Sequence, residues 1–93
     1  MKIFPFSRFE VKGSSMKPAL KQGDRVLTFN FGKPIRGDLV VVRKNSMEII
    51  KRVEKVSGNS FFVAGDNLEH STDSRHFGLV KRNEIVGKVL MKY

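Results

Sequence analysis

The sequence predicts an all-β domain, and three observations lead to that prediction. Short runs rich in Val, Ile and Phe recur along the chain, and Gly, Asp, Asn and Ser separate them in the rhythm of strands and turns. No stretch keeps a helical period over the window that an amphipathic helix requires. The 93 residues suffice for one hydrophobic core but leave little room for a second. The predicted strands are residues 25–29, 39–43, 48–56, 61–64 and 85–91.

Turn signals lie between these runs. Gly-Asp pairs that begin at Gly23, Gly37 and Gly65 predict tight turns, because glycine tolerates a positive φ. The Ser-Gly-Asn sequence at residues 57–59 predicts a hairpin between two strands. Residues 16–21 are compatible with a single helical turn. The elements in between are therefore short and connected closely.

Composition excludes several classes of protein. With no cysteine, the chain has no disulfide framework, thiolate nucleophile or cysteine-based zinc site. His70 and His76 are too few for a histidine-rich metal site, and we expect neither a metal nor another cofactor. The net charge of +9 predicts a general attraction to polyanions. Because the 18 Lys and Arg are scattered without a recognised motif, we do not expect specific binding of nucleic acid.

The N-terminal segment allows two interpretations. No run approaches the ~20 apolar residues that cross a bilayer, and residues 1–9 are too short and interrupted for a secretory signal peptide. We therefore expect a cytoplasmic protein with one domain, in which residues 1–8 form an N-terminal arm and residues 9–93 form the core. Alternatively, the apolar side chains of this segment, which alternate with Lys2 and Arg8, could contact a membrane surface peripherally.

The first candidate for chemistry is a serine in the segment GSSMKPAL, residues 13–20. Ser15 lies in a turn between Gly13 and Pro18, which restricts the backbone, and nearby amides could stabilise an oxyanion. The alternative is a helix N-cap, a common role of serine. Ser14 is a competing nucleophile for which a structural role is more natural. A serine needs a neighbouring base, and with so few histidines the sequence favours Lys51.

Lys51 lies in an apolar, strand-like run. By alternation, Ile49, Lys51 and Val53 share one face of the strand, while Ile50 and Arg52 share the other. Partial desolvation between two apolar neighbours disfavours the ammonium form and lowers the pKa of a lysine, as a neutral general base requires. The alternative is a solvated lysine on an edge strand, since buried lysines are rare.

The third element is the polar segment 65–78, whose long loop, residues 66–77, is of a length that is often functional. Asp73 and Arg75 could form an ion pair there. Such a loop could orient a lysine amine or hold a substrate backbone. Composition fits a solvated loop with Asx and Ser turns equally well.

Taken together and in this order, the segments resemble the type I signal peptidase superfamily of Ser–Lys proteases, from residue 11 to residue 93. Residues 13–20 look like its nucleophile box, residues 37–41 like its Gly-Asp-hydrophobic strand, and residues 50–53 like its general-base box. The final box matches residue for residue at Gly65, Asp66, Asn67, Ser71, Asp73, Ser74, Arg75 and Gly78.

The resemblance implies a small coiled, partly open β-barrel and a serine endopeptidase that uses no cofactor. It implies that Ser15 is the nucleophile, that Lys51 takes its proton, and that Ser71 orients the lysine. Asp73 and Arg75 would form a structural ion pair. Only backbone amides, including that of Ser15, are implied in the oxyanion hole. The other implied structural residues of the site are Gly13, Met16, Pro18, Gly65, Asp66, Asn67 and Ser74.

Within the superfamily, this short chain looks most like the maturation proteases of nickel-type superoxide dismutase. That likeness implies removal of an N-terminal propeptide from a precursor protein. The alternative is a signal peptidase I that cleaves exported preproteins at a membrane surface, although the membrane anchors and the inserted β-domain of such enzymes are missing here. A third possibility is a non-catalytic binding module that keeps the fold.

Overall fold

The computed structural model describes residues 5–67 and 77–93, which form an open antiparallel sheet with the strand order β1-β2-β7-β3-β4-β5-β6. The all-β prediction is confirmed, and the five predicted strands lie within one residue of their observed ends. A 3-10 turn, Arg82–Glu84, precedes the last strand. The strands are β1 (Phe6–Glu10), β2 (Arg25–Phe29), β3 (Leu39–Lys44), β4 (Met47–Ser57), β5 (Ser60–Ala64), β6 (Val80–Lys81) and β7 (Ile85–Lys92).

Extra residues in two strands make the sheet coil. In β7, Leu90 has no paired residue in β2, and Val86 has none in β3. In β4, Glu54 has no paired residue in β5. Such bulges bend a strand and increase its twist. In the described part of the chain, β1 and β6 are end strands that do not pair with each other. This architecture agrees with the predicted coiled, partly open barrel.

The turns confirm two of the three Gly-Asp predictions. Gly23 and Gly37 have φ values of 91° and 94°. In both turns the following aspartate accepts a hydrogen bond from the amide three residues before it, at 2.8 and 2.9 Å. For the third pair, the structure has a bend at Asp66, whose carboxylate pairs with Arg52 at 2.8 Å, and the positive φ expected at Gly65 stays a prediction.

Both hairpins of the β3-β4-β5 meander have two-residue connections. Gly58 and Asn59 connect β4 to β5 between the paired residues Ser57 and Ser60, as the sequence predicts. Asn45 and Ser46, with φ values of 52° and 66°, connect β3 to β4. Two successive positive φ values match the twist of the adjoining strands. Strands β3, β4 and β5 are thus held in fixed register.

The sheet has two apolar clusters, and the two faces of β4 pack against different ones. Ile49 and Val53 pack in the first cluster, together with Phe61 and Val63 from β5. Ile50 packs in the second, which consists of Val11, Met16, Leu20 and Val26 with their neighbours. The predicted alternation along β4 is therefore confirmed, and Lys51 lies on the side of the first cluster.

The chain re-enters the described fold at Phe77, which packs against the first cluster. The Lys44 amine lies 5.7 Å from the centroid of its ring and 3.0 Å from the Glu84 carboxylate. A hydrogen bond from the backbone amide of Lys81, and then the Lys44 amine, lower the pKa of Glu84. These contacts fix the 3-10 turn against β3.

Strand β1 pairs with β2 along its whole length, from Phe6 opposite Phe29 to Glu10 opposite Arg25. Pairing therefore continues across the boundary predicted between an arm and a core at residues 8 and 9. Because β2 in turn pairs with β7, β1 is part of the sheet and not an appendage. Its course leads directly to Val11 and to the serine turn.

Candidate active site

The serine turn is anchored by two buried side chains. Met16 and Leu20 are 1% and 4% exposed, and the Leu20 amide donates to the Met16 carbonyl at 2.9 Å. This single hydrogen bond is what remains of the helical turn considered for residues 16–21. Gly13, with φ at 77°, reverses the chain just before it. Pro18, after a cis peptide bond, is exposed at the tip.

Ser15 is partly buried and does not act as a helix cap. In the described part of the chain, no backbone amide donates to its hydroxyl. The nearby amide of Lys17 donates instead to the carbonyl oxygen of Ser14, at 3.2 Å. The N-cap alternative is therefore not what the described residues contain.

Asn67, which follows β5 by three residues, binds the serine turn through two hydrogen bonds. Its backbone amide donates to the Ser15 carbonyl at 2.8 Å, and its side-chain Nδ2 donates to the Ser14 carbonyl at 3.0 Å. The two partners are more than fifty residues apart in sequence. Asn67 thus connects the serine turn to the segment that follows β5.

Lys51 is buried in the middle of β4, with only 3% of its surface exposed. It lies opposite Val40 of β3 and between Ile49 and Val53 on its own face. Burial by itself disfavours the charged form of an amine, because the ammonium loses hydration. The solvated edge-strand alternative is excluded by this burial.

Arg52, the next residue, is fixed by a bidentate ion pair. Its Nε and Nη2 atoms donate to the two carboxylate oxygens of Asp66 at 2.9 and 2.8 Å, and Nη1 donates to the Gly37 carbonyl at 2.8 Å. The hydrogen bond to Asp66 raises the pKa of Arg52. Because Asp66 and Asn67 are adjacent, one dipeptide holds both the lysine strand and the serine turn.

Ser15 and Lys51 line the same cavity, which has a volume of about 610 Å³. It lies between β1 and the first half of β4, and apolar side chains form much of its wall. Sequence reasoning missed the contribution of β1, although the alternation of Phe9 and Val11 with charged residues is the signal that could have revealed it. The lining consists of residues 9–12, Ser15, Met16, Val41 and residues 47–51.

Several predicted site residues lie outside the described residues. These are Ser71, Asp73, Ser74 and Arg75, so their roles stay predictions; His70 and His76 lie there too. Gly65 is buried at the end of β5. Within residues 5–67 and 77–93, no cluster of His, Asp or Glu could hold a metal ion, and no helix is long and apolar enough to cross a membrane.

Comparison with known proteins identifies the family. The family model described as signal peptidase, peptidase S26, matches residues 1–59 and 53–93. The chain belongs to this family. It is therefore a serine endopeptidase, and the third possibility, a non-catalytic binding module, loses its support.

Three relatives illustrate the range of similarity. Signal peptidase I of Bacillus caldolyticus is 30% identical over 149 residues, which cover 100% of this chain and 82% of the relative. The mitochondrial ATP-independent inner membrane protease subunit 1a of Arabidopsis thaliana is 33% identical over 116 residues, covering 92% and 69%. Signal peptidase IB of Staphylococcus aureus is 25% identical over 150 residues, covering 97% and 78%.

These relatives contain residues that this chain lacks. The alignment with the Bacillus caldolyticus enzyme spans 149 residues, whereas this chain has 93. The two segments of the family match meet at residues 53–59, which lead into the two-residue connection between β4 and β5.

The names of these relatives fit the signal peptidase alternative better than the maturation of nickel-type superoxide dismutase. One of them is named as an inner membrane protease. The cytoplasmic location and the dismutase precursor therefore stay predictions from the sequence, while membership of the S26 peptidases is established.

Proposed function

We propose that this peptidase cleaves preproteins that carry a signal peptide, with Ser15 as nucleophile and Lys51 as general base. The observation that carries the proposal is the shared cavity, whose wall includes both Ser15 and the buried Lys51. A serine hydroxyl needs a base to remove its proton. A lysine that is 3% exposed is a suitable one, since burial favours the neutral amine.

The reaction then follows from these two groups. Lys51 accepts the Ser15 proton as Oγ attacks the scissile carbonyl carbon, and the carbonyl oxygen becomes an oxyanion that the Ser15 amide stabilises. Protonated Lys51 gives its proton to the leaving amine, the C–N bond breaks, and an acyl-enzyme remains. Lys51 next takes a proton from water as the water oxygen attacks the ester carbon; the bond to Oγ then breaks, and Lys51 returns the proton to Ser15 Oγ as the product acid is released. Ser71 is the proposed orienting partner of the amine.

The cavity suits an extended peptide. Residues 47–50 of β4 pair with β3 on one side, whereas β5 begins to pair only at Arg52. Strand β1 pairs with β2 on one side. Residues of β1 and of β4 line the cavity. A substrate strand between them could therefore form backbone hydrogen bonds with both edges, the mode of β-strand addition. Its alternate side chains would meet apolar wall residues such as Val41 and Ile50.

The substrate class is tested by comparing the rates at which two precursors are cleaved. Purified protein is incubated with a preprotein that has small residues at its signal peptide cleavage site, and separately with a nickel-type superoxide dismutase precursor that retains its propeptide. We expect faster cleavage of the preprotein, measured by mass spectrometry of the new N-terminus. Ser15→Ala should cleave neither, whereas Ser57→Ala, an exposed serine at the hairpin, should cleave like the unmodified protein.

Preferential cleavage of the dismutase precursor would replace the proposed substrate class and keep the enzyme chemistry. Equal cleavage by the protein and by Ser15→Ala would instead remove Ser15 as the nucleophile. The two failures are thus distinguishable.

We further propose that the outer face of β1, β2 and β7 contacts the membrane at which such preproteins are presented. Cross-strand pairing aligns Phe6 with Phe29, and Arg8 with Leu27 and Met91. The Phe6 and Phe29 rings are 5.7 Å apart, and Phe31 adds a third ring at 5.9 Å from Phe29. Exposed aromatic rings beside cationic side chains suit the interface of an anionic bilayer.

Cosedimentation with vesicles tests this face. Phe6 and Phe31 are 51% and 43% exposed, and we expect the double variant Phe6→Ser, Phe31→Ser to lose most binding to vesicles that contain anionic lipid. Leu79→Ser is the matched control, because Leu79 is 53% exposed but precedes β6 at the other end of the sheet. Binding that the double variant retains, or that the control loses equally, would contradict the assignment.

A further inference from the structure

We infer that Asn67 is a positioning residue that aims the oxyanion-stabilising amide of Ser15. The inference rests on the proposed role of Ser15 as nucleophile and adds a group that does not touch the reacting atoms. It is carried by the two hydrogen bonds from Asn67 to consecutive carbonyl groups, those of Ser14 and Ser15.

The first bond sets the direction of the Ser15 amide. In a planar trans peptide, the carbonyl oxygen and the following N–H point to opposite sides. The Ser14 carbonyl is held by Asn67 Nδ2 at 3.0 Å and by the Lys17 amide at 3.2 Å. The Ser15 N–H must therefore point away from both donors.

The second bond fixes the other side of the same residue. Asn67 N–H holds the Ser15 carbonyl at 2.8 Å, so the peptide planes before and after the Ser15 Cα atom are both restrained. Two restrained planes determine φ and ψ of Ser15, and with them the direction of its Cα–Cβ bond. One residue thus orients both the hydroxyl that attacks and the amide that receives the developing charge.

Asn67 is itself well supported. It follows Asp66, whose carboxylate forms the bidentate pair with Arg52, and Arg52 adjoins Lys51 in the central strand β4. The serine turn is therefore connected, through Asn67, Asp66 and Arg52, to the same strand that holds the proposed base. Such preorganisation allows a donor to stabilise a transition state without rearrangement during the reaction.

The test replaces the side-chain donor without changing its shape. Asn67→Asp keeps the backbone bond to Ser15 but places an oxygen beside the Ser14 carbonyl, which repels it. Removal of an oxyanion donor costs about 10²–10³ in kcat. Because this variant misdirects the donor and does not remove it, we expect kcat for the preprotein to fall about 10- to 100-fold, with KM nearly unchanged.

A peptide aldehyde provides a readout that a purely structural role would not move. Its adduct with Ser15 is tetrahedral and places an oxygen where the oxyanion forms, whereas the corresponding peptide alcohol forms no adduct. Asn67→Asp should weaken the aldehyde by the same factor as kcat and leave the alcohol unchanged. Asn59→Asp, the same chemical change at the exposed hairpin, is the control.

The inference would be overturned by unchanged kcat in Asn67→Asp, or by equal losses of affinity for aldehyde and alcohol. If Asn67→Asp fails to fold, Asn67→Ala, which removes the donor without adding charge, is measured in the same way and decides on the same criteria. Failure of the proposed function would give a different result: Ser15→Ala would then cleave the preprotein, and the aldehyde would not bind covalently.

Discussion

Replacing Lys51 with methionine should abolish cleavage of the preprotein and leave the fold intact. Methionine has nearly the shape of a neutral lysine and suits an apolar site, so a side chain that is 3% exposed can be exchanged without a cavity. The variant has no group that accepts the Ser15 proton. Loss of a member of a catalytic unit lowers kcat by on the order of 10⁴- to 10⁶-fold, measured by single-turnover cleavage.

Ser15→Ala should have an effect of the same size, and the double variant should be no worse than either single variant. Groups that act as one unit show this non-additivity, because removal of the first already stops the shared step. Lys55→Met is the matched control, since Lys55 lies on the same strand but is exposed. Full activity in Lys51→Met, or a further loss in the double variant, would argue against the pair.

The pH dependence should have a definite sign. Only the neutral amine can accept a proton, so cleavage by the unmodified protein should increase as pH rises and then level off. A flat profile from mildly acidic to alkaline pH would exclude Lys51 as the base.

Much of the scaffold around this pair was predictable because its signals are local. Period-two alternation placed Lys51 between Ile49 and Val53 on one face of β4, and the structure confirms both the strand and the face. Glycine before aspartate located two turns correctly. These signals depend on the nearest neighbours in sequence, which is the information that a single sequence contains.

The parts that sequence reasoning missed depend on contacts between distant segments. Gly65-Asp66 looks like the other Gly-Asp pairs, and nothing near it in the sequence indicates that Asp66 pairs with Arg52, fourteen residues away. Likewise, nothing near Asn67 indicates that it binds the carbonyl groups of Ser14 and Ser15. Such pairings exist only after the sheet has brought the two segments together.

The largest effect on stability should come from Gly87→Ala in β7. A Cβ atom at this position would lie 2.5 Å from Asn30 Oδ1, 3.0 Å from the Phe29 carbonyl oxygen and 3.2 Å from Thr28 Oγ1. Asn30 cannot move freely, because its Nδ2 donates to Ser7 Oγ at 2.7 Å and its Oδ1 accepts from the Thr28 hydroxyl at 3.1 Å. Overpacking of this kind costs about 1–3 kcal/mol.

For a domain of this size, each kcal/mol lowers Tm by about 4–8 °C, so calorimetry should show a clear decrease for Gly87→Ala. The steric origin is tested by adding Asn30→Ala, which removes the closest atom. Asn30→Ala alone should destabilise the protein through its lost hydrogen bonds, yet the double variant should lose less than the two single losses combined. Simple additivity would mean that the cost arises elsewhere. Because Gly87 lies opposite Val41, which lines the cavity, a displaced β7 should also reduce peptide cleavage.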